Sequence, residues 1–439
     1  MAAKAETPIA LKAGLLFCDG ACQGLRRPAG KAWVRILAFT SLFPNAVRPV
    51  QGIFVYQRLA HLARRPGNQV TVVAPVPYFP SWLKVARWHA MSQIPKQEKV
   101  GDLIVYHPRY FLLPKISMPL HGLLMFLGSL PGVLGLRKRP GFDCIDAHFV
   151  FPDGFAAVLL GSVLRIPVFV SARGTDINLY PSFPTIRPMI RWTLGRAAGV
   201  VAVSKALRDR MVVLGLPFDR IRVIANGVDT ERFKPLDRHE ARRRLGLGEN
   251  GQLILSVGSL IPSKGHHLLI RALREIAPRY PRLMLRIIGE GTFRRELETL
   301  IREAGLQDRV QLVGTRPNEE IFLWFNAADI SCLASEREGW PNVILESLAC
   351  GTPVVATRAG GTPEILVSPD LGVLVDQGVG AIAAGIEFAL NKEWNRAELV
   401  RYAQRRTWAV VAAEVEELLA SRISGGHAIR QASQSRPAP

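Results

Sequence analysis

The chain reads as an α/β protein built from two doubly wound parallel sheets, each covered by helices on both faces. Three observations predict this. Short apolar runs such as VRILAF, PVFVSA and QLILSVG alternate with helical patterns along nearly the whole length. Those runs are continuously apolar, as in strands buried on both faces of a parallel sheet. The 439 residues, 48% of them hydrophobic and 21% charged, suffice for two or three domains with ordinary cores.

Taken in order, residues 1–33 fall outside this rhythm. Their short apolar patch, Ala13 to Cys18, is followed by charge and glycine that make a poor signal peptide. We expect a disordered leader, or translation that starts near Val34. The first strand is Val34 to Phe39, followed by a helix from Ile53 to Arg65 and a strand over 69–75. Residues 76–100 interrupt with Pro, Trp and Arg. A strand returns at 142–148, then a helix from Gly154 to Leu164, a strand at 167–172, a helix over 185–197, a strand at 199–203 and a short helix from Lys205. RVIANGVDTERFKP (222–235) closes the first unit, and the polar, Arg-rich stretch 236–250 reads as a connector. The second unit has strands at 252–258, 283–289, 309–314, 328–334, 353–357 and 372–375, with helices between them and no short sequence repeat. Helical stretches at 394–405 and 408–421 precede a Ser-, Gly- and Pro-bearing tail that we expect to be disordered.

The 56 lysines and arginines exceed the 36 acids by 20. Such a balance attracts nucleic acid, anionic lipid or anionic substrates. The bases are scattered, and neither zinc-finger spacing nor an aromatic RNA-binding motif occurs, so nucleic acid is not an expected partner. Five cysteines (18, 22, 144, 332, 350) are too few for a disulfide framework. Buried free thiols in a reducing, cytoplasmic compartment are the simplest account. Residues 120–136, LHGLLMFLGSLPGVLGL, precede Arg137, Lys138 and Arg139. The run is short for a membrane span and broken by Pro and Gly; an interfacial helix and a core helix both fit. Tyr, Trp and Arg in 78–91 suit headgroup depth. An anionic membrane surface is therefore an expected partner.

Residues 335–364, SEREGWPNVILESLACGTPVVATRAGGTPE, carry the densest chemistry. Pro341 suits a first helical turn and Gly351 the residue just past the helix end. Glu338 stands before this helix and Glu346 inside it. A helix N-terminus beside the Gly360-Gly361 turn suits phosphate, and two carboxylates can grip hydroxyls or simply face water. Ligands of open α/β sheets lie outside the carboxyl ends of strands. Lys264, in SLIPSKG after strand 252–258, can there neutralise a leaving diphosphate. Gly289-Glu290-Gly291 ends strand 283–289, Gln51-Gly52 sits at a strand-to-helix turn, and His148 ends strand 142–148 as a ligand-facing or a structural histidine. Ser171-Ala-Arg-Gly-Thr-Asp176 follows the next strand. No Asp-x-Asp occurs, no His/Cys/Glu cluster has metal spacing, and no nucleophile–base–acid set is apparent.

The 335–364 stretch resembles the E-x7-E element of the retaining glycosyltransferases of family 4, the group 1 enzymes. EGWPNVILESLACGTPVVAT is most similar to the branch that builds teichuronic acids and exopolysaccharides. The resemblance runs over about residues 34–420. It implies the GT-B arrangement, two Rossmann-like domains facing a cleft. It also implies a nucleotide-sugar donor, a glycan or lipid-linked acceptor, retention by a front-face route, and no metal or other cofactor. The enzyme would work in cell-surface polysaccharide biosynthesis, peripherally on the inner face of the cytoplasmic membrane.

Residue by residue, the resemblance makes Glu338, Lys264 and His148 catalytic, with Glu338 on the donor sugar, Glu346 on the ribose and Lys264 on the diphosphate. Ser259 stands where relatives carry Arg, so another basic residue, Arg173 for one, would share the phosphate. Gly289 and Gly291 would flank the base; Gly52, Gly339, Trp340, Asn342 and Val343 complete the donor side, with Pro341 unable to donate an N–H. Arg173 and Asp176 form the acceptor side, where relatives have His-Gly-x-Asp, and Asn226-Gly227 is hinge-side and structural. The implied organisation is a leader (1–33), an acceptor-side domain (34–235), a connector (236–250), a nucleotide-sugar domain (251–398), C-terminal helices crossing back to the first domain (399–422) and a tail (423–439). Trp408-Ala409 occupies the place of the Trp-Asp that many relatives have there. A noncatalytic GT-B partner in a polysaccharide assembly complex and a GT-B sugar phosphorylase are the other readings, the second lacking an evident pyridoxal lysine.

Overall fold

The computed structural model describes residues 34–78, 90–112, 118–137, 141–249 and 251–434. The expected leader, Cys18 and Cys22, most of the aromatic stretch 78–91 and the last residues of the expected tail lie outside the described residues. The strands are β1 (Val34–Phe39), β2 (Asn68–Val73), β3 (Val76–Pro77), β4 (Gln97–Val100), β5 (Leu103–Tyr106), β6 (Arg109–Tyr110), β7 (Cys144–His148), β8 (Val168–Ala172), β9 (Gly199–Ala202) and β10 (Ile221–Val223). The second half adds β11 (Leu253–Val257), β12 (Met284–Ile288), β13 (Val310–Gly314), β14 (Ile330–Leu333), β15 (Val354–Thr357) and β16 (Gly372–Val375).

Fourteen of them form two sheets, ordered β10-β9-β8-β7-β1-β2-β5-β4 and β13-β12-β11-β14-β15-β16, and β3 and β6 pair by themselves. Every pairing is parallel except β4 with β5. All residues of β7, β8, β9, β14 and β15 are buried, which is what their unbroken apolar sequences require once helices cover both faces. The strand order reverses beside the first strand of each sheet, between β7 and β2 around β1 and between β12 and β14 around β11. Loops leaving adjacent strands at such a point diverge and open a crevice at the carboxyl ends.

Several elements escaped the sequence. Within 76–110, β4 and β5 make a hairpin over Gly101, whose φ of 57° opens the turn, and β3 pairs with β6. Four-residue strands at a sheet edge carry little apolar signal. The stretch 236–250, read as a connector, holds helix Arg238–Arg244. Asp237 caps it by accepting from Glu240 N at 2.9 Å. Arg242, buried, donates to Ala327 O at 3.0 Å and to Asp329 Oδ2 at 2.9 Å, so this segment belongs to the second domain's packing. The last helix runs Trp408–Gln434, through much of the expected tail. Trp408, Val411, Val415 and Leu419 pack with Val34, Ile36, Phe169 and Val201 of the first sheet, and Arg65 Nε donates to Glu416 Oε2 at 2.6 Å.

The apolar run after residue 120 forms helix His121–Arg137, in which Met125, Ser129 and Val133 are buried. Among the described residues no helix is long and apolar enough to cross a membrane. Cys144, Cys332 and Cys350 are buried free thiols.

Candidate active site in the interdomain cleft

The crevice loops of the two sheets face each other and enclose a cavity of about 460 Å³. From the second domain come Gly258, Ser259, Ile261, Ser263 and Lys264 after β11, and Arg337 to Val343 after β14. From the first come Phe54, Arg173, Gly174, Thr175, Asn178, Leu179 and Asn226.

Local backbone explains the second-domain wall. Gly265 ends the turn after Lys264 with φ 69°, and a Cβ there would sit 1.9 Å from Ala334 O. Only glycine lets the β11 loop lie this close to the end of β14. Glu336 N donates to Ser263 O at 2.8 Å, and Lys264 Nζ donates to Glu338 Oε1 at 2.6 Å. The Lys264 side chain keeps 26% of its exposure and that of Glu338 9%. Helix Asn342–Ala349 starts at the cavity after Pro341, with no side-chain cap on its first turn. Its free N–H groups and dipole add positive potential. Trp340 Nε1 is buried without a partner among the described residues.

The first-domain wall rests on buried charge. Asp146 in β7 meets Arg58 Nη2 at 3.2 Å, and Arg58 Nη1 donates to Ser171 Oγ at 2.9 Å. Burial would raise the Asp146 carboxyl, but Arg58, His148 and Arg173 outweigh it and hold it well below the usual carboxylate range. His148 lies with Nε2 3.4 Å from Asp146 Oδ2, and its Nδ1 receives Arg173 Nη2 at 2.5 Å. Burial, with Arg173 adding to it against Asp146, lowers His148 to about 4. The ring is therefore neutral at pH 7, and accepting at Nδ1 puts its proton on Nε2 toward Asp146. Arg173 Nη1 continues to Asn226 Oδ1 at 3.0 Å, and Asn226 Nδ2 donates to Asn342 Oδ1 at 3.1 Å. A buried polar chain thus runs from the first sheet to the first turn of the second-domain helix. Arg173 also lies 5.6 Å from the Phe54 ring centroid. Burial lowers its guanidinium to about 9, which leaves it charged.

Lys264, Glu338, Ser259, Gly339, Trp340, Asn342, Val343 and Arg173 thus meet in one cavity. His148 is fully buried and reaches it only through Arg173, which makes it a positioning residue. Asp176 is buried too; its carboxylate accepts from Val150 N and Gly174 N, both at 2.8 Å, and from Arg173 N at 3.1 Å. It shapes the loop and has no face toward an acceptor. Gly52, with φ 64°, starts helix Ile53–Arg64 against Leu42 O and leaves Phe54 to line the cavity. Gly289 and Gly291 lie against Gly258 O and Leu260 O, where a Cβ would sit 2.0 and 2.1 Å away; they support the β11 loop from behind. Glu346 is half-buried and does not line the cavity; burial raises it to about 7, with Arg232 opposing and Asp229 adding.

Sequence reasoning missed Arg337, Phe54, Asn178 and the Arg58–Asp146 pair. Asp146 left a signal, an acid inside the apolar run CIDAH, and Arg58 another on an otherwise apolar helix face. Asn178, which donates to Glu338 O at 3.3 Å across the cleft, left none. Among the described residues no group of three or more His, Cys, Asp or Glu is placed to hold a metal ion.

Two family models match, together covering most of the chain: glycosyltransferase family 4 over residues 51–232 and glycosyl transferases group 1 over residues 237–406. The chain is 28% identical over 342 residues to the teichuronic acid biosynthesis glycosyltransferase TuaC of Bacillus subtilis, covering 76% of this chain and 83% of that one. It is 31% identical over 329 residues to the D-inositol 3-phosphate glycosyltransferase of Acidothermus cellulolyticus, covering 67% and 70%. Its fold matches sucrose-phosphate synthase of Thermosynechococcus elongatus with a TM-score of 0.73 at 20% identity, over 89% of this chain and 99% of that one. The architecture of two parallel-sheet domains facing a cleft is the GT-B fold.

Proposed function

The chain belongs to the group 1, family 4 glycosyltransferases, and on that premise we propose that it moves a sugar from a nucleotide-sugar donor to a lipid-linked glycan. The transfer retains anomeric configuration and serves cell-surface polysaccharide biosynthesis on the inner face of the cytoplasmic membrane. The observation that carries this reading is the Lys264–Glu338 contact of 2.6 Å, set beside an uncapped helix N-terminus in the cleft. A cation, free N–H groups and a carboxylate within one small cavity suit a diphosphate joined to a polyol. Similarity to TuaC supports the polysaccharide branch.

In this reading the donor diphosphate lies against Lys264, Arg337 and the first turn of helix Asn342–Ala349. Lys264 then exchanges its bond to Glu338 for phosphate oxygen, and the freed carboxylate accepts from sugar hydroxyls. The bond from the anomeric carbon to the leaving phosphate oxygen breaks. The acceptor oxygen bonds to the same face, and its proton passes to that phosphate oxygen. Lys264 and Arg337 meet the charge that grows on the leaving group, with no divalent cation required. Arg173 holds the sugar side of the cavity, oriented by His148 and Asn226.

Thermal shift with a panel of UDP-, GDP- and ADP-sugars tests the donor, followed by transfer to a lipid-linked acceptor with and without EDTA and by NMR of the product anomer. One donor should stabilise the protein and be consumed equally in EDTA, giving a retained anomer. No response to any donor would sink the reading; sugar phosphate released in the presence of inorganic phosphate would make the protein a phosphorylase.

A further inference from the structure

Helix His121–Arg137 has two opposed apolar faces. Met125, Ser129 and Val133 are buried against the first domain. Leu120, Leu123, Leu127, Pro131 and Leu134 recur at intervals of three and four and are exposed on the other side. The four leucines keep 52, 41, 52 and 39% of their surface. Gly128 lies against Tyr110 and Arg109 of β6, and the residue that follows them, Phe111, is exposed. Single exposed leucines need no explanation, but an aligned ridge of them marks an interaction surface.

The charge around this ridge is one-sided. Bases are spread over the whole chain, but acids are not. From Val34 to Phe142 the only acids are Glu98 and Asp102, against fourteen lysines and arginines, three of which, Arg35, Arg58 and Arg65, are paired with Asp143, Asp146 and Glu416. Of these two acids, Glu98 is held by His107 at 2.7 Å. Lys96 borders the groove beside Gly132 and Leu136, and Arg137 ends the helix; Arg109, in the same groove, is turned to Met91 O and Ile94 O. An apolar ridge flanked by cations complements an anionic bilayer, where leucines enter the acyl boundary and cations meet lipid phosphates. A soluble polyanion would use the cations and have no need of the leucines.

We propose that the outer face of helix His121–Arg137, with Phe111, docks the first domain onto an anionic phospholipid surface. This deepens the lipid-linked reading above by naming the element that meets the lipid. The helix does not cross the bilayer; it lies on it.

The test is co-sedimentation of the full-length protein with phosphatidylcholine vesicles containing about 30% phosphatidylglycerol, and with pure phosphatidylcholine, at low and high salt. The variant is Leu123→Gln/Leu127→Gln, on exposed positions, with its thermal midpoint checked. The wild type should partition onto anionic vesicles and leave them at high salt, and the variant should partition about tenfold less. Wild type that stays in the supernatant, or a variant that partitions like wild type, overturns the proposal. So does binding of both to dextran sulfate without binding to vesicles, which would indicate a polyanion site. The donor panel run on the same proteins separates the two readings. The double variant should keep its donor response, and vesicle binding without any donor response would sink the transferase reading alone.

Discussion

The ammonium of Lys264 lies 2.6 Å from Oε1 of Glu338, and the two come from loops on either side of the point where the second sheet reverses strand order. The pair therefore holds the crevice at a fixed width and keeps a cation and a carboxylate ready for one ligand. Lys264→Ala and Glu338→Ala should each lower transfer by about a hundredfold or more and lower stability by only about 1 kcal/mol, because the pair is partly solvated. Steady-state transfer and urea unfolding measure the two effects. Near-normal turnover in both variants would refute these roles.

Arg173 is the costliest cavity residue to lose. Arg173→Ala leaves His148 Nδ1 and Asn226 Oδ1 without their donor and the buried Asp146 with one fewer cation. A loss of about 3 kcal/mol is expected. Arg173→Lys keeps charge without the fork and should fall between the two. Denaturant midpoints decide; a loss below about 1 kcal/mol for the alanine variant would mean the chain is slack.

Asn226 and Asn342 meet across the cleft at 3.1 Å. A double-mutant cycle to alanine should give a coupling of about 0.5–1.5 kcal/mol. Additive effects within experimental error would show that this contact does not join the domains in solution.

At Gly339 the two domains approach closely. A Cβ there would sit 2.2 Å from Arg173 O and 3.0 Å from Gly174 Cα. Gly339→Ala should force the domains apart, lowering turnover about tenfold or more while each domain stays folded. Small-angle scattering and turnover on the same sample test this, and unchanged turnover would count against closure at this spacing.

Stability should depend on pH through opposed groups: His148, with His121 and His266, which burial likewise lowers to about 4, and Glu346, with Asp153, which burial likewise raises to about 7. Burial lowers His148 from 6.5 to about 4, so the unfolded chain binds the proton first. Its contribution is complete above about pH 6.5 and is lost as pH falls toward 4. Burial raises Glu346 from 4.5 to about 7, so its contribution is complete below about 4.5 and is lost as pH rises through 7. His148→Gln should make the acid side of the stability profile shallower and Glu346→Gln the neutral side. Profiles unchanged in both variants would remove this account.

Part of the site was readable because its chemistry sits in contiguous segments. SLIPSKG and EGWPNV each follow an apolar strand, and strand ends are where ligands of such sheets gather. Glu346 and the Gly289-Glu290-Gly291 turn were readable as motifs, yet their placement was not. A helix turns 100° per residue, so four positions after Asn342 the Glu346 side chain faces Asp229 and Arg232. The Gly289-Glu290-Gly291 turn faces a backbone whose proximity no local pattern encodes.

The sequence by itself determined the two parallel sheets, the strands that carry the cleft, and the cation and carboxylate beside it, because burial on both faces demands unbroken apolar strands and turns demand glycine and proline at fixed places. Only the tertiary structure decided that His148 stands behind Arg173, that Asp176 is consumed by backbone N–H groups, and that Asn226 reaches Asn342 from the other domain. Those relationships join residues far apart in the chain, and the energy that selects them, the cost of leaving a buried polar group unpaired, depends on neighbours that exist only once both domains have folded.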